Sequence, residues 1–449
     1  MTQTKKAIGA LSLVLTSSLV LGACAKTDEP SAAAPSSTTA ASTDAGAASG
    51  SGASSSAAPV KISYWTPFSG GDGEFMTSMV KKFNEEQKEI QVEMLNTKSD
   101  DYYTKLQTAI VSDQAPDVAI VHASRMPQFA PSQFIVPLDD IAAKASVNWS
   151  DYNANILNST VFDNKHYSLP LDTHALVMYY NKKFLDQAGV LKDGKPVYDN
   201  SPEGFVSFLQ KIKDKVPGDI APLAQPNVRI DSYWMWWGFY NQLKDGGKFY
   251  SEDGKKGALN NPAALKSLTY VDDLYKKGLI PPNINDAFKM FQDGKAAVLI
   301  TGVWGTGAFE STQGLDFGVT TMPQIYDQPA TWGDSHTLAL PKHSKEDAAK
   351  QLAAVKFASW NTSHGDTWAQ AGHVPAVVKA TQSDMFKGLK YRSDYAKTAD
   401  FVKYWPRDAK QAPINDEIIK EFEKMMNNKQ DPATTLKNSD AIIEKMLSK

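Results

Sequence analysis

Short apolar runs alternate with helical patterns along the whole chain after Pro59, and this alternation constrains the fold more than any other feature. The runs predicted as buried strands are residues 61–65, 118–121, 176–180, 297–301 and 338–340. Apolar residues at helical spacing lie between and after them, as at Met76, Met79, Val80 and Phe83, and again at Ile418, Phe422, Met425 and Met426. Such alternation predicts an α/β fold with mostly parallel sheets and helices on both faces. About 390 residues exceed what one core usually holds, so two lobes are expected.

The N-terminus predicts an export signal over residues 1–23. Lys5 and Lys6 precede an apolar run at 7–21, which is shorter than the ~20 residues that span a bilayer as a helix. Small residues then lead to Cys24, the one cysteine of the chain, which has no partner for an internal disulfide. The pattern resembles the lipobox of bacterial lipoproteins, which implies a lipidated Cys24 and an extracytoplasmic protein anchored to the cell membrane. An ordinary secretory signal with an unrelated cysteine is the alternative.

The composition after the signal separates a tether from the folded part. Residues 24–59 are dominated by Ala, Ser, Thr, Gly and Pro, which predicts a disordered segment. The whole chain has 47 basic and 50 acidic residues, a formal net charge of −3. The sequence has a slight excess of acidic residues and no cluster of basic residues of the kind that binds nucleic acid. It therefore predicts no nucleic-acid partner.

An ordered set of short motifs resembles the extracellular solute-binding proteins of sugar ABC importers, the group that includes the maltose-binding proteins. The motifs are ISYW (62–65), SGGDG (69–73), APDV (115–118), YSLPLD (167–172), LVMYYNK (176–182), DGKAA (293–297), GVW (302–304), WGD (332–334) and LPK (340–342). The resemblance covers essentially everything after Pro59.

The resemblance implies a two-lobed, periplasmic-binding-protein-like fold of type II, with the ligand held in a cleft between the lobes. It places residues 60–172 and 334–380 in lobe 1, and 173–333 and 381–449 in lobe 2. It also implies a neutral oligosaccharide ligand, delivery to the transmembrane subunits of an ABC permease, and a monomer without a cofactor or metal.

Sugar binding in water requires flat aromatic side chains for the ring faces and fixed polar groups for the hydroxyl rim. Trp304 follows a predicted strand and a glycine, at a position where the resemblance implies ring stacking. Trp234 and Trp237 belong to a cluster in which three tryptophans in four residues cannot share one helical face. Trp332 and Trp65 are further candidates at strand ends, and each has core packing as its alternative.

The polar candidates also follow predicted strands. Arg125 matches an arginine among the sugar contacts of the family, and its planar fork can donate two hydrogen bonds to neighbouring hydroxyls. The remaining candidates near strands are His122, Asp172, His174 and Asp334, and Asp72 lies in the glycine turn before a predicted helix. The resemblance adds Asn415, which falls near a ring-stacking aromatic residue of the maltose-binding proteins. His174 stands where maltose-binding proteins have an acidic contact, which argues against maltose itself. Asp72 has helix capping as its alternative.

Enzyme signatures are missing, and two alternatives stay open. None of the seven histidines belongs to a His-Glu-x-x-His zinc motif, and no nucleophile elbow or phosphate loop occurs. A secreted carbohydrate-active enzyme needs two facing carboxylates roughly 5 to 10 Å apart, for which Asp172 and Asp334 are the only candidates. The other alternative keeps the fold and binds a polyamine, a glycerol phosphate, thiamine or ferric iron.

Overall fold

The computed structural model describes residues 58–68, 72–97, 99–228 and 230–449. The predicted signal, the lipidated Cys24 and the tether therefore lie outside the described residues, apart from positions 58 and 59. The strands of the described part are β1 (Val60–Thr66), β2 (Ile90–Asn96), β3 (Val118–His122), β4 (Val161–Phe162), β5 (Lys165–His166), β6 (Ser168–Pro170), β7 (Asp172–Asn181), β8 (Leu191–Lys192), β9 (Lys195–Pro196), β10 (Ala221–Ala224), β11 (Ala296–Gly302), β12 (Phe317–Thr321), β13 (Thr331–Asp334), β14 (His336–Ala339), β15 (Val374–Pro375) and β16 (Val402–Lys403).

Helices separate most of these strands. They are α1 (Asp72–Glu86), α2 (Ser99–Val111), α3 (Met126–Phe129), α4 (Asp139–Lys144), α5 (Ala154–Asn158), α6 (Lys182–Gln187), α7 (Pro202–Lys215), α8 (Asp231–Gln242), α9 (Pro262–Lys276), α10 (Ala287–Gln292), α11 (Thr306–Glu310), α12 (Ala348–Ser363), α13 (Gly365–Trp368), α14 (Val378–Thr381), α15 (Asp384–Gly388), α16 (Arg392–Tyr395), α17 (Gln411–Met426) and α18 (Pro432–Leu447). Among the described residues, none of these helices has the length and apolar character needed to cross a bilayer.

The first sheet has the strand order β2-β1-β3-β14-β6 and carries helices on both faces. Alternate residues of β3 face opposite sides, as strand geometry requires. Val118 and Ile120 pack in the core under α1 and α12, where Phe83 and Phe357 meet edge to face at 5.0 Å. Val121 instead packs with Tyr102 of α2, on the other face.

The second sheet has the order β10-β11-β7-β13-β16, and β12 and β15 also pair with β7. All ten residues of β7 are buried. Tyr180 joins a large core with α7, α8 and α9, whereas Tyr179 faces a smaller core on the opposite side. Because these adjacent tyrosines point apart, they do not form the paired phenolates that a ferric site would need.

The five predicted strands are confirmed as parts of β1, β3, β7, β11 and β14, and the helices predicted from apolar spacing are α1 and α17. The expectation of mostly parallel sheets is wrong in detail, because both sheets are mixed. β1 pairs in parallel with β2 and β3, but β14 is antiparallel to β3 and β6. In the second sheet β7 runs antiparallel to all four of its partners, β11, β12, β13 and β15.

The chain passes between the two sheets where β6 leads into β7 and where β13 leads into β14. A third passage follows α12 and α13, which pack on the first sheet, and enters β15 on the second. These returning segments run against the direction of the strands they join, which is the physical reason for the mixed sheets. All three passages lie next to one another, since Asp334 pairs with His174 and Val374 pairs with Thr173.

Gly372 stands at the third passage in a backbone conformation that favours glycine, with φ of +120°, and an added Cβ would come within 2.1 Å of the Val303 carbonyl oxygen. We therefore expect Gly372→Ala to lower the free energy of unfolding by about 1–3 kcal/mol. Gly218→Ala is the matched control, because nothing lies within 4 Å of its added methyl group. Urea unfolding of both variants measures the difference, and equal stabilities would contradict this description of the passage.

Candidate functional site

A cavity of about 910 Å³ opens where the strands of both sheets end beside the three passages. Its lining comes from both halves of the fold. Phe68 follows β1, Arg125 follows β3, and Trp304 follows β11. This arrangement matches the general position of ligands in α/β folds, beyond the carboxyl ends of strands. The volume lies near the upper end of the usual range for small-molecule sites.

Three tryptophans form an aromatic surface on one side of the cavity. Trp234 and Trp332 stack with ring centroids 3.9 Å apart and planes 10° apart. Trp304 stands edge-on to Trp234 at 6.1 Å, and its other neighbour is the imidazole of His174 at 5.8 Å. The result is a continuous apolar wall with ring faces and ring edges in fixed orientations.

Local sequence explains the place of Trp304. It lies in a short 3-10 turn, Val303–Gly305, directly after β11. Its ring covers the backbone of Gly302, where an added Cβ would lie 1.8 Å from a ring carbon. Only glycine permits so close an approach of ring and backbone, so the Gly-Val-Trp sequence is what lets the indole reach the cavity.

The tryptophan cluster of α8 divides between the cavity and the core, because successive helical residues point in different directions. Trp234 lines the cavity. Trp237 does not, and the expectation that it faces the cleft is corrected: its side chain is buried against Trp405 at 4.5 Å, and its indole N–H donates to the Lys403 carbonyl oxygen at 2.9 Å.

Trp65 is a second correction, since it does not belong to the cavity lining. It packs at the edge of the core formed with α2 and α3, which includes Tyr102 and Phe129. The Tyr102 hydroxyl donates to the Trp65 carbonyl oxygen at 3.0 Å. The alternation of β1 points the side chain of Trp65 to this face of the sheet, while Phe68, three residues later, reaches the cavity.

Asp172 is a third correction, because it lies beneath the cavity and not in its wall. Its side chain is fully buried. The donors to its carboxylate are the indole N–H of Trp368 at 2.6 Å, the backbone N–H of His336 at 3.0 Å, and the imidazoles of His336 and His174 at 2.8 and 3.3 Å. Burial opposes its charge, but His336, His373 and the hydrogen bonds from His174 and His336 prevail and hold the pKa of Asp172 well below its usual value.

The histidines above Asp172 line the cavity floor: His122, His174, His336 and His373. Burial and neighbouring imidazoles lower the pKa of both His336 and His122. The Asp172 carboxylate opposes this shift in both, and in His336 also through a hydrogen bond. The backbone N–H of His122 donates to the Tyr103 hydroxyl oxygen at 2.9 Å, and the same hydroxyl is hydrogen-bonded to Nδ1 of His122 at 2.5 Å. The floor is therefore a group of closely packed imidazoles, and burial disfavours the charged form of two of them, His122 and His336.

Asp334 lines the cavity, but its carboxylate is already engaged. It accepts hydrogen bonds from the hydroxyl and the backbone N–H of Ser124 at 2.5 and 3.0 Å, and from the Ser335 N–H at 2.9 Å. Since Ser124 follows β3 and Asp334 ends β13, these bonds connect the two sheets at the passage. Asp334 is thus occupied by the fold and has little capacity left for a ligand.

Arg125, Asn415 and Asp72 are the predicted polar residues with free capacity in the lining. The guanidinium of Arg125 lies over the Tyr103 ring at 4.9 Å, and among the described residues no carboxylate is within ion-pair distance of it. The Asn415 oxygen accepts from the Tyr233 hydroxyl and from Gln411 at 3.1 and 2.9 Å, which leaves its amide nitrogen as a donor. Asp72 begins α1, and its carboxylate lies 3.8 Å from His373.

Seven aromatic residues of the lining were not predicted from the sequence: Phe68, Phe75, Tyr103, Phe288, His336, His373 and Trp405. His336 lies two positions after the WGD motif, so its place near a strand end could have been predicted in the same way as that of Asp334. Tyr103 lies in a helix and His373 in an irregular segment, so neither follows a strand. Only the folded chain brings them to the cavity.

Comparison with known proteins agrees with this architecture. Residues 69–368 match the family described as bacterial extracellular solute-binding protein. The galactooligosaccharide-binding protein of Bacillus subtilis (strain 168) is 26% identical over 250 residues, which is 54% of this chain and 56% of that protein. The chain thus spans little more than half the length of that relative.

Two solved structures share the fold. One is an ABC substrate-binding protein from Listeria monocytogenes in complex with cycloalternan, with a TM-score of 0.75, 23% identity, and coverage of 87% of this chain and 99% of that chain. The other is UgpB from Mycobacterium tuberculosis in complex with glycerophosphocholine, with a TM-score of 0.76, 20% identity, and coverage of 86% and 98%. The predicted two-lobed, type II fold is confirmed, and the chain belongs to the bacterial extracellular solute-binding protein family.

Proposed function

We propose that this protein is the substrate-binding component of an ABC importer, and that it captures a neutral oligosaccharide between its two lobes and delivers it to the membrane permease. The observation that carries the proposal is the aromatic surface of Trp234, Trp304 and Trp332 beside the polar groups of Arg125 and Asn415. Ring faces suit the C–H faces of sugars, and the few fixed donors suit hydroxyls. The cavity of about 910 Å³ has room for several sugar units.

The similar proteins support the same ligand class. The Bacillus subtilis relative is a galactooligosaccharide-binding protein, and the Listeria structure holds the sugar cycloalternan. UgpB holds glycerophosphocholine instead, so the fold alone does not select a sugar. In this chain Arg125 is the one Lys or Arg side chain among the described lining residues. A phosphate ester would be poorly neutralised there, which favours a neutral ligand.

A polyamine site needs several free carboxylates, and two of the three aspartates proposed from the sequence are not free. Asp334 is bonded to Ser124 and Ser335, and Asp172 is buried under the histidines. The same two facts remove Asp172 and Asp334, the pair that the sequence offered for glycoside hydrolysis, since that reaction needs two carboxylates that both reach the scissile bond. We therefore propose a binding role without catalysis.

For transport, ligand binding must change the angle between the two lobes, so that the permease can distinguish the loaded protein from the empty one. We assign residues 60–172 and 334–373 to lobe 1 and residues 173–333 and 374–449 to lobe 2. The boundary predicted at 380 moves to 373, because β15 pairs with β7 and Val377 and Ala380 pack in the core of the second sheet. The three passages lie side by side at the cavity floor and form a short hinge. A ligand that contacts both walls binds the closed form more tightly, which shifts the population toward the form that the permease recognises.

We further propose that residues 1–23 are an export signal, that Cys24 is lipidated, and that residues 24–59 tether a monomeric binding protein to the outer face of the cell membrane. One acyl chain anchors weakly, so a multiply acylated N-terminus is expected. The tether permits the folded part to reach a permease in the same membrane. Mass spectrometry of the detergent-extracted protein tests this assignment.

Trp304→Ala should weaken oligosaccharide binding about 10- to 100-fold, or about 1.4–2.8 kcal/mol, because it removes a stacking ring and leaves the polar groups in place. Tryptophan fluorescence titrated with galactooligosaccharides, cyclic glucans and maltotriose measures the dissociation constant. Trp360→Ala is the matched control, since Trp360 stacks on His364 and does not line the cavity. An unchanged affinity in Trp304→Ala, or an equal loss in the control, would contradict the proposed stacking site.

Ionic strength should leave the sugar affinity unchanged within about twofold between roughly 0.01 and 1 M salt, because a neutral ligand has no charge to screen. Isothermal titration calorimetry at both salt concentrations measures it, with glycerophosphocholine and spermidine as charged comparisons. Tight binding of either charged compound, weakened by salt and without any response to sugars, would keep the fold and replace the ligand class.

A further inference from the structure

Four buried side chains meet at and just beneath the floor of the cavity, close enough for side-chain rotation to bring one atom of each to a single metal ion. Asp172 and His174 belong to β7, His336 to β14, and His373 directly precedes β15. Each offers one oxygen or nitrogen atom, and these four atoms all lie within 4.8 Å of one another. The four residues come from the three passages between the sheets, so they are assembled by the fold and share no local motif.

His373 is the member of this group whose bonding is least explained by the protein itself. Its side chain is 1% exposed, and neither ring nitrogen has a hydrogen-bond partner. The nearest carboxylate oxygens are those of Asp172 at 3.6 Å and Asp72 at 3.8 Å. Buried polar atoms are almost always bonded, and a group that is not bonded requires an explanation such as an ion.

We propose that Asp172, His174, His336 and His373 bind one divalent transition-metal ion, with zinc as the expected occupant. Three imidazole nitrogens and one carboxylate oxygen are ligands that zinc accepts in a four-coordinate site, whereas calcium and magnesium require mostly oxygen ligands. Zinc lies about 2.0–2.2 Å from such atoms, which puts neighbouring ligand atoms about 3.4 Å apart. Binding thus draws the four atoms together by rotation of the side chains.

The surroundings have the features that orient metal ligands. The indole N–H of Trp368 donates to Asp172 at 2.6 Å, and the Trp368 ring lies parallel to the His373 imidazole at 4.7 Å. Asp72 stands on the far side of His373, at 3.8 Å from Nε2. Outer carboxylates and hydrogen-bonded ligands of this kind fix ring orientation and raise the affinity of metal sites.

The position gives the ion a defined consequence. It would connect β7, β14 and the segment before β15, which are the three segments that join the lobes. An ion bound only by the folded chain stabilises it by mass action. The three histidines also line the cavity, so the ion would lie at the floor of the site where the ligand binds. The proposal does not depend on which ligand that is.

The test is zinc binding to the full chain in a Cys24→Ser background, which removes the one thiol of the sequence. The purified protein is stripped with EDTA, dialysed, and titrated with zinc chloride by calorimetry, while the melting temperature is recorded with and without zinc. We expect one zinc ion per chain with sub-micromolar affinity, a higher melting temperature with zinc, and no comparable response to calcium or magnesium.

His373→Ala and His174→Gln should each weaken zinc binding at least tenfold, and His364→Ala is the control, since His364 lies outside the group and stacks on Trp360. Circular dichroism verifies the fold of each variant, and the two ligand variants keep the test valid if one of them does not fold. No saturable zinc binding by the parent chain, or equal binding in both folded ligand variants, would overturn the proposal. Neither result bears on sugar binding, which is measured without added metal.

Discussion

The carboxylate of Asp172 is fully buried, so its charge must be stabilised by hydrogen bonds from the protein. The donors of these hydrogen bonds hold together the segments that connect the lobes. Removing a carboxylate from water costs several kcal/mol unless hydrogen bonds and opposite charges compensate. Here the compensation comes from α13, β14 and β7, through Trp368, His336 and His174. Each donor belongs to a different part of the chain, so the segments that join the lobes are tied to a single acceptor.

A second carboxylate completes this connection. Asp334 accepts hydrogen bonds from Ser124, which belongs to the loop after β3, and thereby attaches β13 to the first sheet. These residues determine the shape of the cavity above them. Its floor consists of imidazoles, two of which are hydrogen-bonded to Asp172, and its walls include the residues that follow β1, β3 and β11. Strands and the ends of strands thus contribute most of the floor, and the loops contribute to the walls.

Much of this architecture could be predicted from the sequence. The buried strands were recognisable as short, mostly apolar runs, and Trp304, Trp234 and Arg125 line the cavity at strand ends and on a helix face. Asn415 also lines it, but only the family resemblance pointed to that residue. The direction of the strands was harder to predict from the sequence. The antiparallel pairing of β7 depends on which later segments of the chain lie beside it, and local composition does not reveal this.

The errors have a common physical cause. Trp237 and Trp65 are close in sequence to residues that line the cavity, but both side chains pack in the core instead. The periodicity of the sequence alone does not decide whether such a side chain faces the cavity or the core. Asp172 was expected in the cleft because it follows a strand motif, but its neighbours His336 and Trp368 supply donors that bury it. Those donors lie more than a hundred residues away, so no local pattern contains them.

The most direct test of the central claim is a crystal structure of the chain with the oligosaccharide that binds most tightly in the titrations. The account predicts a sugar between the lobes, with a ring face on Trp304 or Trp234 and its hydroxyls within hydrogen-bond distance of Arg125 or Asn415. A sugar bound outside this cavity, or a cavity that stays open and empty at saturating sugar, would contradict it.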